Sequence, residues 1–211
     1  MSGGDTLGRG VAALGLDLSA GVRMRFMQYI ALLQKWNSVY SLTAVHGATE
    51  MVTHHVLDSL AVLPYVGTGS IVDVGSGAGL PGIPLALAKP DASVILLDSN
   101  QKKAAFLRQA VIELGLDNAE VVCARAEVWQ PAKLFEVVIS RAFSDLRRFV
   151  ELAGRLCAPH GMLAAMRGVY LDSELDEVPP AFTVKRAVPL SVPGLNAMRH
   201  LILLQPTTAA P

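Results

Sequence analysis

An apolar segment that runs directly into a glycine-rich turn constrains this chain more than any other feature. The segment reads Ile71-Val72-Asp73-Val74-Gly75-Ser76-Gly77-Ala78-Gly79-Leu80-Pro81-Gly82. Its first four residues favour a strand, and the alternate glycines then let the backbone turn sharply and expose N–H groups at the start of a helix. A loop without Cβ atoms can lie flat against a nucleotide. The segment therefore predicts a nucleotide-binding strand, loop and helix.

The spacing of the glycines indicates which nucleotide is bound. A dinucleotide fingerprint needs its third glycine three positions after the second, where this chain has Leu80. Here Gly79 follows two positions after Gly77, and the acid Asp73 lies two residues before the first glycine. Asp98 ends the next apolar run, where a carboxylate can accept hydrogen bonds from both ribose hydroxyls. The pattern resembles the first motif of Rossmann-like methyltransferases that use S-adenosylmethionine (SAM).

The remainder of the chain predicts an α/β fold, in which strands and helices alternate after residue 70. Strands are expected near 70–74, 93–98, 119–124, 134–140 and 161–166, and helices near 81–89, 100–115 and 144–157. Two closing strands, 182–188 and 199–204, are expected to form a hairpin. The result is a mostly parallel seven-stranded sheet with helices on both faces, typical of a Rossmann-like SAM-dependent methyltransferase.

The N-terminal third predicts helices near 19–40 and 49–64, each with one apolar face. Neither is long enough to be stable alone, so both should pack on the sheet. We therefore expect an N-terminal helical extension at 1–66, a methyltransferase domain at 67–204 and a disordered tail at 205–211.

Composition excludes several classes of protein. Hydrophobic residues make up 52% of the chain and charged residues 17%, which excludes general disorder. The longest apolar window, 71–88, contains an acid, glycines and prolines and cannot span a bilayer as a helix. The N-terminus shows no secretion signal, so we expect a cytoplasmic protein. Cys123 and Cys157 lack the spacing of metal ligands and are expected to be buried thiols, so no metal is predicted. We also expect a monomer.

The charge balance bears on nucleic-acid binding. Eighteen basic residues match eighteen acidic ones, which counts mildly against an RNA substrate. Basic residues nevertheless outnumber acidic ones, ten to seven, between Ser99 and Tyr170, and Arg141, Arg147 and Arg148 lie close together. A local basic patch remains compatible with the neutral total.

The residues after the fourth predicted strand indicate what type of atom is methylated. They read Ser140-Arg141-Ala142-Phe143, without the Asp/Asn-Pro-Pro-aromatic motif of amine methylation or the Pro-Cys nucleophile of cytosine C5 methylation. We assign no catalytic side chain. Guanine N7 suits such a site because its in-plane lone pair needs no general base, only alignment with the methyl within about 3–3.5 Å. The ring becomes positively charged, so Arg141 would be more useful on a phosphate or on the cofactor than on N7.

Four motifs together resemble one family. They are the extended loop 75–84, the Ser140-Arg141-Ala142-Phe143 turn, Ala126-Glu127 after the third strand, and His55-Val56-Leu57-Asp58-Ser59-Leu60. From Gln28 to Leu204 the chain is similar to the small-subunit ribosomal RNA guanine-N7 methyltransferases, the glucose-inhibited division protein B family. The resemblance implies SAM-dependent methylation of N7 of guanine 527 in 16S rRNA. The implied partner is 16S rRNA or the small ribosomal subunit.

The resemblance also implies roles for individual residues. Residues that would line or shape the SAM site are Gly75, Gly77, Gly79, Leu80, Ala126, Glu127 and Arg141, to which the position of Asp98 adds a ribose ligand. Ala126 and Glu127 would contact the adenine. His55 and Asp58 share a helix face and form either a local structural pair or part of the active-site mouth. Arg147 is a further candidate for substrate binding.

One departure from the family pattern and three alternative functions remain open. Ser41-Leu42-Thr43 stands where the family usually reads Asn-Leu-Thr, and serine lacks the amide donor. A SAM-dependent methyltransferase of another substrate would keep Gly75 and Asp98. A non-catalytic ribosome-assembly factor could bind SAM only to hold its fold. A nicotinamide oxidoreductase fits least, because Leu80 replaces the required glycine.

Overall fold

Seven strands form one sheet in the computed structural model, which describes residues 2–143, 145–170 and 172–207. The strands are β1 Ser70–Val74, β2 Ser93–Leu97, β3 Ala119–Val122, β4 Phe135–Ser140, β5 Cys157–Arg167, β6 Phe182–Pro189 and β7 His200–Pro206. Their order is β3-β2-β1-β4-β5-β7-β6. Strands β1 to β5 pair in parallel, and β7 is antiparallel to both of its neighbours. The predicted sheet and its closing hairpin are confirmed.

Eight α-helices are present in the described part of the chain. They are α1 Gly3–Ala13, α2 Ala20–Tyr40, α3 Ala48–Met51, α4 Asp58–Leu60, α5 Gly82–Ala88, α6 Gln101–Leu114, α7 Leu146–Ala153 and α8 Asp172–Asp176. Shorter 3₁₀ turns occupy Leu63–Tyr65 and Gly154–Leu156. Among these residues no helix has both the length and the apolarity to cross a membrane.

Helices cover both faces of the sheet, as predicted. Ile71 of β1 belongs to the hydrophobic cluster that contains α1, α2, α5 and α6, whereas Val72 and Val74 belong to the cluster that contains α7. Because β1 is buried on both faces from Ile71 to Val74, this part of the strand is apolar except at Asp73. Between β1 and β4 the strand order changes direction, and the carboxyl ends of these strands open a crevice where α/β proteins bind ligands.

Helix α1 is an element that the sequence analysis did not predict. The Ser2 hydroxyl accepts a hydrogen bond from the backbone N–H of Asp5, and the Asp5 carboxylate accepts from the N–H of Ser2, which forms a capping box. Leu7 and Val11 then lie in the same hydrophobic cluster as the sheet residue Ile71. The N-terminal helices thus share a core with the sheet, and the division at residue 66 stays a prediction.

The predicted helix at 49–64 differs from expectation in geometry and burial. Helix α3 continues without a break through a π-helical stretch, Val52–Leu57, into α4, which ends at Leu60. The stretch from Met51 to Leu60 is buried on every side except at the partly buried His54. The expectation of a helix with a single apolar face was therefore wrong, because both α1 and α5 pack against this segment.

Three further expectations require correction. Helix α7 ends at Ala153, and Cys157 begins β5. Cys157 is buried, as predicted, and burial raises the pKa of its thiol to about 11, whereas Cys123 is exposed because β3 ends one residue earlier. The predicted disordered tail is wrong for Gln205 and Pro206, which pair with β6, while residues 208–211 lie outside the described residues.

Candidate active site

The glycine loop after β1 is held by hydrogen bonds to the ends of neighbouring strands. Gly75, Gly77 and Gly79 have φ values of +73°, +60° and +88°, a region that other residues rarely adopt. The N–H groups of Gly75 and Ser76 donate to the carbonyl of Leu97 at 2.8 and 3.0 Å. These bonds fix the loop directly above β1 and β2, at the carboxyl edge of the sheet.

Asp98 connects this loop to the end of β2. Its Oδ2 accepts from the N–H of Gly77 at 2.8 Å, and its Oδ1 accepts from the N–H of Asn100 at 2.8 Å. Each carboxylate oxygen can accept a second hydrogen bond, so Asp98 can organise the loop and still bind ribose hydroxyls.

Asp73 lies under the loop and is completely buried. Its Oδ2 accepts from the Ser76 hydroxyl at 2.7 Å and from the N–H of Gly82 at 2.9 Å, whereas Oδ1 has no partner among the described residues. Burial raises the pKa of Asp73 to about 6, despite the two hydrogen bonds that lower it. The carboxylate fastens the loop to the first residue of α5.

Two adjoining cavities meet at Gly75. The larger, of about 320 Å³, is lined by residues that end β1, β2 and β3, including Asp98, Ala126 and Glu127. The smaller, of about 180 Å³, lies over the glycine loop and is lined by Thr43, Leu80 and Arg141 among others. An added Cβ at Gly75 would lie 2.8 Å from the Cβ of Ala142, so only glycine keeps this passage open. The pair of cavities fits an extended nucleoside with an amino-acid tail, the shape of SAM.

The segment after α2 covers the smaller cavity and is fixed by buried polar groups. Asn37 accepts from the N–H of Thr43 at 2.8 Å and donates to the carbonyl of Val45 at 3.3 Å. The Thr43 hydroxyl lies 2.9 Å from Nε2 of His55. Burial, reinforced by the nearby Arg141 guanidinium, lowers the pKa of His55 to about 4, so this imidazole is neutral at pH 7.

A third cavity, of about 490 Å³, adjoins the other two at Arg141, Ala142 and Phe143. The Ser140 hydroxyl sets the turn after β4, since it donates to the carbonyl of Val74 and accepts from the N–H of Ala142. Asp58, whose side chain is 1% exposed, accepts from Arg141 at 3.1 Å and from Arg199 at 2.9 Å. Arg141 also donates to the carbonyl of His54 at 3.1 Å. One buried carboxylate thus positions two arginines at the mouth of this cavity.

The family of the chain follows from sequence comparison. A family model, GidB, described as rRNA small subunit methyltransferase G, matches residues 23–202. The chain belongs to this family. The ribosomal RNA small subunit methyltransferase G of Laribacter hongkongensis is 53% identical over 200 residues, which cover 95% of this chain and 97% of that protein. The protein of the same name from Nitrosospira multiformis is 53% identical over 206 residues, covering 94% and 95%.

Two solved methyltransferase structures have a fold similar to that of this chain. A SAM-dependent methyltransferase from Aquifex aeolicus aligns with a TM-score of 0.58 at 17% identity, covering 83% of this chain and 97% of the other. A glycopeptide N-methyltransferase complexed with S-adenosylhomocysteine aligns with a TM-score of 0.60 at 12% identity, covering 72% and 87%. At these identities the likeness shows the fold. With its membership of the GidB family, the chain is a Rossmann-like, SAM-dependent methyltransferase.

The structure brings most of the predicted cofactor residues together around the two adjoining cavities. Those that line one or both are Gly75, Gly77, Leu80, Asp98, Ala126, Glu127 and Arg141. Gly79 lines neither, because its missing Cβ would point at Ile83 and Leu107 in the core. Its place in the site is to shape the loop.

The three predicted substrate residues lie in different surroundings. Asp58 lines the third cavity, whereas His55 is buried against Thr43 and lines none of the three. The two side chains have separate partners, so the local pair considered from the sequence does not form. Arg147 is exposed on α7 with Glu177 at 3.9 Å, and it is its neighbour Arg148 that lines the adenosine-sized cavity.

Sequence reasoning did not assign several residues that the structure places at the site. Arg167 and Arg199 line the third cavity from the end of β5 and the start of β7. No local motif marks them, although each lies at a strand boundary on the sheet edge that carries the loop. Thr43 was noted in the sequence without a role, and the structure places it over the glycine loop.

Proposed function

We propose that this methyltransferase acts on N7 of a guanine in small-subunit ribosomal RNA, guanine 527 of the 16S molecule. Its relatives carry the name ribosomal RNA small subunit methyltransferase G at about half identity over nearly their whole length. The observation that carries the choice of atom is the third cavity, whose described lining residues are rich in arginine and include no unpaired carboxylate or imidazole that could act as a base. A substrate on the ribosomal subunit is found in the cytoplasm, where we propose that the enzyme acts.

The residues of the two smaller cavities would hold SAM. Asp98 and Glu127 offer carboxylates for the ribose and the adenine amino group, and the Gly75–Gly79 loop offers close backbone approach. The cofactor supplies an electrophilic methyl group on a sulfonium. Arg141 lines both the loop cavity and the third cavity. It would therefore lie beside the amino-acid tail of the cofactor and beside the substrate.

The third cavity suits a nucleophile that needs no deprotonation. Asp58 is the one carboxylate among the described residues that line it, and both of its oxygens are engaged by arginines. His55, the nearest buried imidazole of the same helical segment, is turned to Thr43. An oxygen nucleophile would require a general base within hydrogen-bond reach. Guanine N7 requires only alignment, which the walls of the cavity can supply.

The test is methyl transfer to small ribosomal subunits that lack this modification. Labelled SAM, the chain and such subunits are incubated, and the RNA is mapped by chemical cleavage at N7-methylguanine. The proposal expects methyl label in the RNA and one new cleavage, at guanine 527, and no incorporation of label into subunits that already carry the modification.

Other outcomes would support the alternatives. Label in protein or small-metabolite fractions, without labelled RNA, would identify a methyltransferase of another substrate. SAM binding without transfer to any subunit preparation would identify an assembly factor. Label in RNA without cleavage at N7-methylguanine would contradict the choice of atom.

A further inference from the structure

Positively charged side chains outnumber negatively charged ones in the lining of the third cavity. Arg141, Arg167 and Arg199 line it, together with the single acid Asp58. The other described lining residues are uncharged, so the lining alone has an excess of two positive charges, and one remains after the ion pair that Glu174, outside the lining, forms with Arg167. A concave, partly desolvated surface with such an excess attracts anions.

Arg167 is the most buried of the three arginines. Its side chain is 9% exposed, against 29% for Arg141 and 26% for Arg199. Its Nη2 donates to Glu174 at 2.8 Å, but its Nη1 is buried and has no hydrogen-bond partner among the described residues. A buried guanidinium N–H without an acceptor is costly, because it has lost its water without replacement.

The end of β5 that carries Arg167 is firmly held. His200 Nδ1 donates to the carbonyl of Gly168 at 2.7 Å, and the Tyr170 ring packs edge-on against the His200 ring. Glu174, on α8, fixes the guanidinium from outside the cavity lining. The unpaired donor is therefore part of a built wall rather than of a freely moving surface side chain.

We propose that Arg167 is the innermost donor of a phosphate site, and that its occupant is a backbone phosphate of the substrate strand beside the methylated guanine. The inference rests on the proposed RNA substrate. Arg141 and Arg199 would complete the site, each having guanidinium N–H groups beyond those given to Asp58. Arginine binds phosphate oxygens through paired N–H groups, which suits three guanidiniums around one anion.

A phosphate is a better occupant than the guanine ring itself. Methylation gives the ring a positive charge, which a guanidinium bonded to O6 beside N7 would oppose. A phosphate keeps its negative charge throughout and holds the nucleotide in register. Arg167 is thus a substrate-positioning residue, not a catalytic one.

The experiment compares the wild type with Arg167→Gln and Arg167→Lys. Equilibrium binding of unmodified small subunits is measured between 50 and 200 mM salt, together with SAM affinity, the KM for subunits and kcat. Arg167→Gln is expected to weaken subunit binding and raise KM about tenfold or more. The slope of log affinity against log salt should become shallower by about 0.7, the share of one phosphate on a single strand. SAM affinity should not change, and Arg167→Lys should recover part of the loss, since it keeps the charge but not the fork of donors.

Two control variants separate binding from folding. Arg186→Gln removes the same charge from β6, outside the three cavities, and should behave like the wild type. Glu174→Gln removes the ion-pair partner of Arg167 but keeps the guanidinium, and should also keep subunit binding. If Glu174→Gln reproduces the loss seen in Arg167→Gln, the role of Arg167 is structural and the proposal is overturned.

The remaining outcomes are equally decisive. Unchanged subunit affinity or an unchanged salt slope in Arg167→Gln would overturn the phosphate site. Inorganic phosphate, added at constant ionic strength, could also stabilise the wild type against urea denaturation but not Arg167→Gln. If subunit binding were at the same time independent of Arg167, the site would take a free anion and the proposal would be overturned. If the wild type binds subunits through Arg167 but transfers no methyl to guanine N7, the proposed function fails and the phosphate site stands.

Discussion

At the scale of single residues, Gly75 combines two constraints on the cofactor loop. Its φ of +73° costs a residue with a Cβ about 1–2 kcal/mol, and the added Cβ would lie 2.8 Å from that of Ala142. We expect Gly75→Ala to stay folded but to bind SAM at least about tenfold more weakly, because the new methyl group narrows the passage between the two cofactor cavities. Isothermal titration with SAM measures the effect.

Gly115 provides the matched control for Gly75. It caps α6 with a φ of +59°, and no atom lies within 4 Å of an added Cβ. Gly115→Ala should therefore lose only the part of the folding free energy that the positive φ costs, about 1–2 kcal/mol in urea denaturation, and should bind SAM normally. Normal SAM affinity in Gly75→Ala would refute the placement of the cofactor.

The backbone conformation of Ser41 explains why the family usually has asparagine at this position. It ends α2 with a φ of +49°, the one positive value recorded for a non-glycine residue among the described residues. Asparagine tolerates this left-handed conformation better than serine does, which gives the family's usual residue a role in capping the helix.

Substitution at position 41 tests this explanation. Ser41→Asn should raise the free energy of unfolding by up to about 1 kcal/mol, and Ser41→Ala should not raise it. The midpoint of urea denaturation, with the m-value unchanged, measures the difference. Equal denaturation midpoints for the asparagine and alanine variants would show that backbone strain at position 41 does not determine the stability of these variants.

At the scale of elements, the segment 41–47 depends on one buried side chain of α2. Asn37 is 5% exposed, and it accepts from Thr43 and donates to Val45 in that segment. Asn37→Ala should destabilise the fold by about 2 kcal/mol, since it leaves buried backbone groups without partners. It should also weaken SAM binding, because Leu42 and Thr43 line the loop cavity.

Hydrogen exchange separates these two effects in the Asn37 variant. Faster exchange confined to 41–47 is expected, with the amides of β1 keeping their protection. Gln34→Ala serves as the control, because Gln34 bonds the same segment, through the carbonyl of His46, from a more exposed position. Uniformly faster exchange throughout the chain would contradict a local role for Asn37.

The elements themselves show what sequence can and cannot predict. Parallel strands buried on both faces leave continuous apolar runs, so β1, β2 and β4 could be placed to within about a residue. The π-helical stretch could not, because its extra residue per turn is accommodated by packing against α1 and leaves no signal in residue type.

The site residues likewise include some that the sequence could predict and some that it could not. The glycine loop and Asp98 are local in sequence and were predicted together, with strand, turn and acid in order. Arg199 lies 141 residues from its partner Asp58, and only the closing strand β7 brings them into contact. The buried Nη1 of Arg167 has no acceptor among the residues that the structure describes, and no sequence pattern could indicate this.

At the scale of the whole molecule, the net charge is zero but the charged residues are unevenly distributed. The formal net charge is zero, yet three arginines and one acid line the cavity beside the cofactor loop. Long-range attraction to RNA should accordingly be weak, and affinity should depend on a few close phosphate contacts. Such an enzyme gains from a substrate whose shape is already formed, since an assembled particle presents those phosphates at fixed positions.

This charge distribution predicts a preference for assembled small subunits over naked 16S rRNA. If about three phosphates make close contacts, one of them in the cavity lined by Arg141, Arg167 and Arg199, the slope of log affinity against log salt should be about −2 to −3. Raising salt from 50 to 200 mM should then weaken subunit binding by about 20- to 60-fold, far less than for strongly basic RNA-binding proteins. Filter binding of both substrates over this range measures the slopes and the preference. Tight binding to naked RNA with a much steeper slope would mean that many exposed basic residues contact the RNA, and the cavity could then no longer be regarded as the main determinant of recognition.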